Sequence, residues 1–209
     1  MQPMSPDEVA EGLAAVGRRF YARGWVNGTS GNFSAVVSRA PLRLVITESA
    51  VHKGALVDEV LEVDEHCQVV GTRAGKPSAE TLLHVDLVRR TGAGAVLHTH
   101  SVWGTVLSDR YSGAQGVPIE GYEMLKGLSG VTSHEHREWI PVVENSQDMT
   151  VLTGRIRGAL ELHPEAHAVL IRRHGLYTWG RTLAEAERHI EILEFLLEAV
   201  GRTESGSWP

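Results

Sequence analysis

The sequence predicts an α/β fold built on a mainly antiparallel sheet covered by helices. Short β-prone runs come in pairs joined by turns, which is how hairpins read. Helical patterns stand among them without regular strand–helix–strand alternation, so the sheet is not parallel throughout. No repeat, low-complexity segment or composition break divides the 209 residues. That length suits one domain with a substantial core, and 1–209 is read as one domain.

The elements follow in order. Ser5-Pro6-Asp7-Glu8 opens a helix, with Ser5 as cap, Pro6 at the first helical position and Glu8 three after the cap. Val9, Leu13, Val16 and Phe20 mark its apolar face, and it ends near Gly24. Asn27 to Asn32 is a turn-rich loop. Phe33–Ser38 and Leu42–Thr47 form a hairpin around Ala40-Pro41, and Val60–Asp64 with Gln68–Thr72 forms another. A helix starts at Ser78 and carries Leu82, Val85, Leu87 and Val88; a buried strand ending in His98-Thr99-His100 comes next. Residues 101–130 hold only short elements. Trp139–Val143 is a strand, and Ser146 caps a helix with Met149, Leu152, Ile156 and Leu160 on one face. Ala168–Arg172 and Leu176–Trp179 are strands around His174-Gly175. Thr182-Leu183-Ala184-Glu185 reads as a capping box for a last helix with Ile190, Leu193, Leu197 and Val200 inward. The tail from Gly201 to Pro209 is read as loosely held, with Trp208 available for a partner subunit to cover.

Composition narrows the function. The net charge is −6 with no basic tract, which argues against nucleic acid as a partner. Cys67 is the one cysteine, so no intrachain disulfide can form, which favours a reducing compartment. The N-terminus lacks a signal-peptide pattern, and no apolar run approaches the ~20 residues of a membrane span. The expectation is a cytoplasmic protein with no membrane contact.

Three histidines carry the chemistry. His98 and His100 sit at i,i+2 after the apolar run Ala95-Val96-Leu97, so on a strand they leave the same face. His174 follows the run Val169-Leu170-Ile171. Three imidazoles with an open position form the catalytic-zinc pattern. Buried histidines are often simply hydrogen-bonded, but two at this spacing favour metal. His134-Glu135-His136 shares the spacing without an apolar run and reads as an exposed loop. His52, His66, His84, His163, His167 and His189 are scattered, and no Gly-x-Ser-x-Gly elbow supports serine chemistry.

Donors for an anion are local. The loop Asn27-Gly28-Thr29-Ser30-Gly31-Asn32 offers two glycines and free N–H groups, although taken alone it reads more readily as an ordinary tight turn. Ser49 ends a strand with Lys53 nearby, and Ser78 stands at a helix N-terminus. Glu80, in the first turn of that helix, can be a fourth ligand, a base, or an acid placed by the helix dipole. Glu123 has no distinction by periodicity.

Taken in order, Gly28-Thr29-Ser30-Gly31-Asn32, Ser78-Ala79-Glu80, His98-Thr99-His100 and Arg173-His174-Gly175 resemble the class II aldolase/adducin family over nearly the whole chain. The stretches Glu123-Met124-Leu125-Lys126-Gly127, Pro141-Val142-Val143-Glu144-Asn145 and Arg172 to Gly180 resemble its dehydratase branch. The resemblance implies a three-layer α/β/α sandwich with an antiparallel central sheet. It implies one zinc ion per subunit on His98, His100 and His174. Phosphate contacts would come from Gly28, Thr29, Asn32, Ser49 and Ser78, with Lys53 near. Glu123 is the implied acid/base of the dehydratases, and Glu80 the base or ligand of the aldolases. The implied reaction is loss of water from 5-methylthioribulose 1-phosphate in methionine salvage, by a homotetramer with sites at subunit interfaces. A sugar-phosphate aldolase or epimerase is the rival enzyme. A non-catalytic adducin-like scaffold is the rival outside enzymology, disfavoured by the complete histidine set.

Overall fold

A computed structural model describes residues 4–204 and 206. The chain divides into two compact units. One holds the described residues up to Thr99 together with Trp179–Ala186; the other holds His100–Thr178 and the described residues from Glu187 onward.

In the first unit, α1 (Pro6–Ala22) begins with the expected capping box. Ser5 Oγ accepts the Glu8 N–H, and the Glu8 carboxylate accepts the Ser5 N–H. Val9, Leu13, Val16 and Phe20 are buried, and the Phe20 ring meets Trp25 and Phe33 edge-on at 5.4 and 5.7 Å. Each such side chain taken from water stabilises the fold by about 1.5–3 kcal/mol. β1 (Asn32–Arg39) pairs antiparallel with β2 (Leu42–Thr47) and with β4 (Ala95–Thr99), and β2 pairs antiparallel with β3 (Val60–Asp64). Helix α1 packs on β1 and β2, and α2 (Thr81–Thr91) packs on β4.

Two expectations change here. Gln68–Thr72 is not a strand. A single bridge joins Val63 to Val69, and Gly71, at φ +89, then turns the chain. The second helix starts at Thr81 rather than Ser78. A bridge between Glu48 and Pro77 and a bond from Ser78 N–H to the Thr47 carbonyl hold Ser78 in extended chain beside the end of β2. Leu83 and His84 join Val85, Leu87 and Val88 on the buried face, while Leu82 is half-buried.

In the second unit, α3 (Val102–Arg110) occupies a region expected to hold only short elements. Its apolar residues do not share a face: Leu107 is buried while Val102 and Val106 are exposed, so periodicity is silent. β5 (Gly116–Glu120) pairs antiparallel with β6 (Arg137–Val143), and β6 runs parallel to β7 (Ala168–Ile171) through the crossover helix α4 (Met149–Leu162). β7 pairs antiparallel with β8 (Gly175–Gly180). The cap of α4 is Asp148, whose carboxylate accepts the Thr150 and Val151 N–H groups; Ser146 instead accepts the Asp148 N–H.

The hydrogen-bonded strand order is β3-β2-β1-β4-β8-β7-β6-β5. The α/β class and the mainly antiparallel sheet are as the sequence predicts. Thr182 accepts the Glu185 N–H at the head of α5 (Leu183–Glu204), and the Glu185 carboxylate accepts the Arg181 N–H. Helix α5 continues through Gly201, which lies against the Trp103 ring, so the chain is helical to Glu204 where a loose tail was expected. Trp208 lies outside the described residues.

Two loop glycines give a testable contrast. A Cβ on Gly31, at φ +73, would stand 2.7 Å from the His98 carbonyl oxygen, whereas one on Gly28, at φ +61, meets nothing within 4 Å. Gly31→Ala should cost about 2–5 kcal/mol, the left-handed backbone and the overpacking together. Gly28→Ala should cost only the backbone part, about 1–2 kcal/mol. Urea unfolding measures both, and equal losses would contradict the close approach.

Candidate active site

His98 is the fourth residue of β4 and is fully buried; His100 follows the strand by one residue. His174 sits in the turn between β7 and β8, with its N–H bonded to the Ile171 carbonyl. The rings of His100 and His174 meet edge-on at 4.6 Å. One ring nitrogen from each of the three histidines lies within 4.8 Å of the others. Imidazoles gathered this closely form a donor set suited to a divalent cation with a coordination position left open.

The Glu80 carboxylate stands beside this set. Its Oε2 is 3.6 Å from His98 Nε2 and accepts a 2.5 Å hydrogen bond from Asn32 Nδ2. Asn32 is brought there by the β1–β4 register, in which it faces His98. Its amide oxygen lies 2.5 Å from His84 Nε2, and His84 Nδ1 lies 2.8 Å from Ser34 Oγ. An amide oxygen only accepts, so His84 Nε2 carries the proton and its Nδ1 accepts the Ser34 hydroxyl. Burial pushes the His84 imidazole down to about 3, so it is neutral across the physiological range. The series Ser34–His84–Asn32–Glu80 thus aims one carboxylate at His98. Both ends of the Asn32 side-chain amide are therefore engaged inside the protein.

The other residues read as phosphate contacts also lie in the first unit. Lys53 is buried, with Nζ 2.7 Å from the Val51 carbonyl oxygen and 3.4 Å from that of Thr29, so its ammonium reaches the Gly28–Asn32 loop. Burial lowers its pKa to about 8. The Glu48–Pro77 bridge sets the segments of Ser49 and Ser78 side by side, and Ser78 Oγ accepts the Glu80 N–H. Ser78 therefore links the anion candidates to the carboxylate.

Glu123 is different. It lies in a short 3-10 turn with its side chain 72% exposed, paired with Lys126 at 2.7 Å and His134 at 3.8 Å. The Lys126 hydrogen bond and charge hold its carboxyl below the usual glutamate range.

Sequence reading missed the support of His174. Arg173 is left-handed at φ +54. Helix α3 holds this turn from below: Ser108 Oγ accepts the Arg173 N–H, and Thr105 donates to the His174 carbonyl at 3.3 Å. Asp109 takes Arg172 at 2.8 Å and Arg173 at 2.9 Å. These side chains follow a helix that shows no amphipathic period, so no pattern marked them. His84 was likewise one more scattered histidine until the sheet set it beside Asn32.

The His84 network makes a pH test. The unfolded chain takes up this proton below about pH 6.5, while the folded chain does not until near 3. Stability should therefore fall as pH drops through that window, by up to about 1.4 kcal/mol per unit. His84→Gln keeps a donor for Asn32 and removes the titration. Between pH 6.5 and 5, the wild type should lose about 1–2 kcal/mol more than this variant in urea titrations with a chelator present. Parallel losses would contradict the buried neutral histidine.

Residues 11–200 match the Class II Aldolase and Adducin N-terminal domain. A methylthioribulose-1-phosphate dehydratase of Marinobacter nauticus is 45% identical over 191 residues, covering 90% of each chain. One of Pseudomonas fluorescens is 43% identical over 204 residues, covering 97% of this chain and 96% of its own. Among solved structures, an L-fuculose 1-phosphate aldolase superposes with a TM-score of 0.80 at 20% identity, over 99% of this chain and 91% of its own. The L-fuculose-1-phosphate aldolase of Thermus thermophilus gives 0.75 at 24%, over 97% and 98%. These last two share the fold. Matched over nearly its whole length, the chain belongs to the class II aldolase and adducin family.

Proposed function

We propose that the chain is a hydro-lyase that dehydrates 5-methylthioribulose 1-phosphate to 5-methylthio-2,3-dioxopentyl phosphate, a step of methionine salvage. The observation that carries this reading is 43–45% identity, over nine-tenths of the chain or more, to relatives named for that reaction. The family match over residues 11–200 supports a single domain spanning 1–209 as the working unit. No helix among the described residues is long and apolar enough to cross a membrane, and we place the protein in the cytoplasm.

His98, His100 and His174 would hold one zinc ion per subunit, and the convergence of their ring nitrogens fits it. Bound there, zinc would supply Lewis acidity to the oxygens of an α-hydroxy ketone, acidifying the proton on the hydroxyl-bearing carbon, C3. The protein's own groups move the protons. A carboxylate takes the C3 proton, the C4 hydroxyl leaves as water after protonation, and the resulting enol becomes the 2,3-diketone. Glu80 has the position for proton abstraction, beside His98 with its orientation fixed by Asn32. Glu123 has the exposure expected of a residue that completes a site across a subunit interface, in the homotetramer we propose. Its carboxyl is held anionic by Lys126, so it can donate to the departing hydroxyl only after taking up a proton. Lys53, Ser49, Ser78 and the backbone of Gly28, Thr29 and Asn32 would hold the substrate phosphate. These donors make a local site in a chain of net charge −6.

Supplying 5-methylthioribulose 1-phosphate and identifying the products decides the reaction. The diketone is expected; triose phosphate or an aldehyde would favour the aldolase reading. Glu123→Gln and Glu80→Gln, assayed together, separate the two carboxylates. Loss of a general acid–base group should lower kcat by about 10²–10⁴-fold with zinc retained. Near-normal turnover of Glu123→Gln would remove it from the proton transfers. His98→Ala should lose this zinc, and wild-type occupancy of the site in that variant would sink the ligand assignment.

A further inference from the structure

A second cluster of donors lies in the same unit as His100 and His174, at the other end of β7. His136 immediately precedes β6, Glu138 is the second residue of β6, and His167 immediately precedes β7. Because β6 and β7 run parallel with Val142 opposite Leu170, Glu138 and His167 come side by side. Both rings aim a nitrogen at one oxygen: His136 Nε2 and His167 Nδ1 are each 2.9 Å from Glu138 Oε2. The other carboxylate oxygen accepts the His167 backbone N–H at 3.0 Å, which fixes the carboxylate.

The proton positions matter. His167 Nε2 is 2.8 Å from the Ser129 carbonyl oxygen, which can only accept, so that nitrogen carries a hydrogen. In a neutral ring, Nδ1 then turns a lone pair toward a carboxylate lone pair. A cation between them removes the conflict. A second proton on the His167 ring does so, with neutral His136 donating its Nε2–H to the same oxygen; a metal ion does so by taking a lone pair from each of the three groups. A divalent ion satisfies all three ligands at once. Burial pushes the Glu138 carboxyl up, yet the hydrogen bond and charge of His167, with the hydrogen bond from His136, outweigh it and hold the carboxyl below the usual glutamate range. A carboxylate only 2% exposed requires a positive partner. A ligating histidine whose far N–H is held by a carbonyl is the usual outer arrangement of a metal site, and Ser129 provides it here.

We propose that His136 Nε2, Glu138 Oε2 and His167 Nδ1 bind a second divalent cation, zinc by ligand type, that ties the starts of β6 and β7 together. Two imidazoles and one carboxylate are a recognised zinc set. His136 is 30% exposed and leaves an entry from solvent. The role is structural, and the proposal stands whether or not the dehydratase reading does.

The test is zinc stoichiometry on metal-stripped full-length protein, with zinc as the probe. Wild type should take up two ions per chain, His98→Ala one, His136→Ala one and the double variant none. Zinc should raise the melting temperature of His98→Ala and leave that of the double variant unchanged. His136 lies in a partly exposed loop, so its alanine variant should fold, which circular dichroism checks. Crystals of the unaltered protein soaked in zinc give a measurement without any variant: anomalous density is expected between His136, Glu138 and His167. Equal zinc uptake by wild type and His136→Ala, or no density at that point, would overturn the proposal.

Discussion

Between the imidazole of His84 and the amide oxygen of Asn32, 2.5 Å apart and both buried, one hydrogen bond decides which way the Asn32 amide faces. With its oxygen held, the amide nitrogen has one direction left, and Glu80 stands there. A carboxylate so placed cannot swing away from His98 without leaving a buried donor unmet, a loss of about 1–3 kcal/mol. The elements that bring these groups together are ordinary by themselves: α2 carries His84 and has Glu80 at its N-cap position, while β1 carries Asn32 and Ser34. The antiparallel register that sets Asn32 opposite His98 turns them into one site. Gly31 completes the fit, because only a residue without a side chain lets the loop pass so near the His98 carbonyl.

The third histidine is held by different means. The turn bearing His174 includes a non-glycine residue in left-handed backbone, a conformation that costs of order 1–3 kcal/mol and persists only when its surroundings hold it. Helix α3 supplies the hold through Ser108 and Asp109. Asp109 binds both arginines of the turn, and their hydrogen bonds and charges keep its carboxyl below the ordinary aspartate range. One histidine is thus positioned by strand geometry and another by a clamped turn.

Much of this was legible in the sequence because it follows local rules. The capping box of α1, the bounds of β2 and β3 and the apolar faces of α1, α4 and α5 all follow from spacing and turn chemistry. The i,i+2 histidines were visible for the same reason. What was not legible depends on long-range pairing. Ser78 looked like a helix cap because nothing local tells of the Glu48–Pro77 bridge that holds it in extended chain. Helix α3 was missed because its buried surface is not a stripe. His136 was set aside as an exposed loop residue; Glu138 is its i+2 neighbour on the chain, and only the β6–β7 register adds His167.

The strand order has a further consequence, for the time the chain needs to fold. β4 is flanked by β1 and β8, and the bonds around it join Asn32 to His98 and Gly94 to Gly180. Loops this long close slowly, because their entropy is lost before any contact rewards it. A ribosome must therefore release most of the chain before the strand that bears His98 gains both neighbours. Until then its apolar run Ala95-Val96-Leu97 is an open edge, the kind of surface on which nascent chains aggregate and chaperones act.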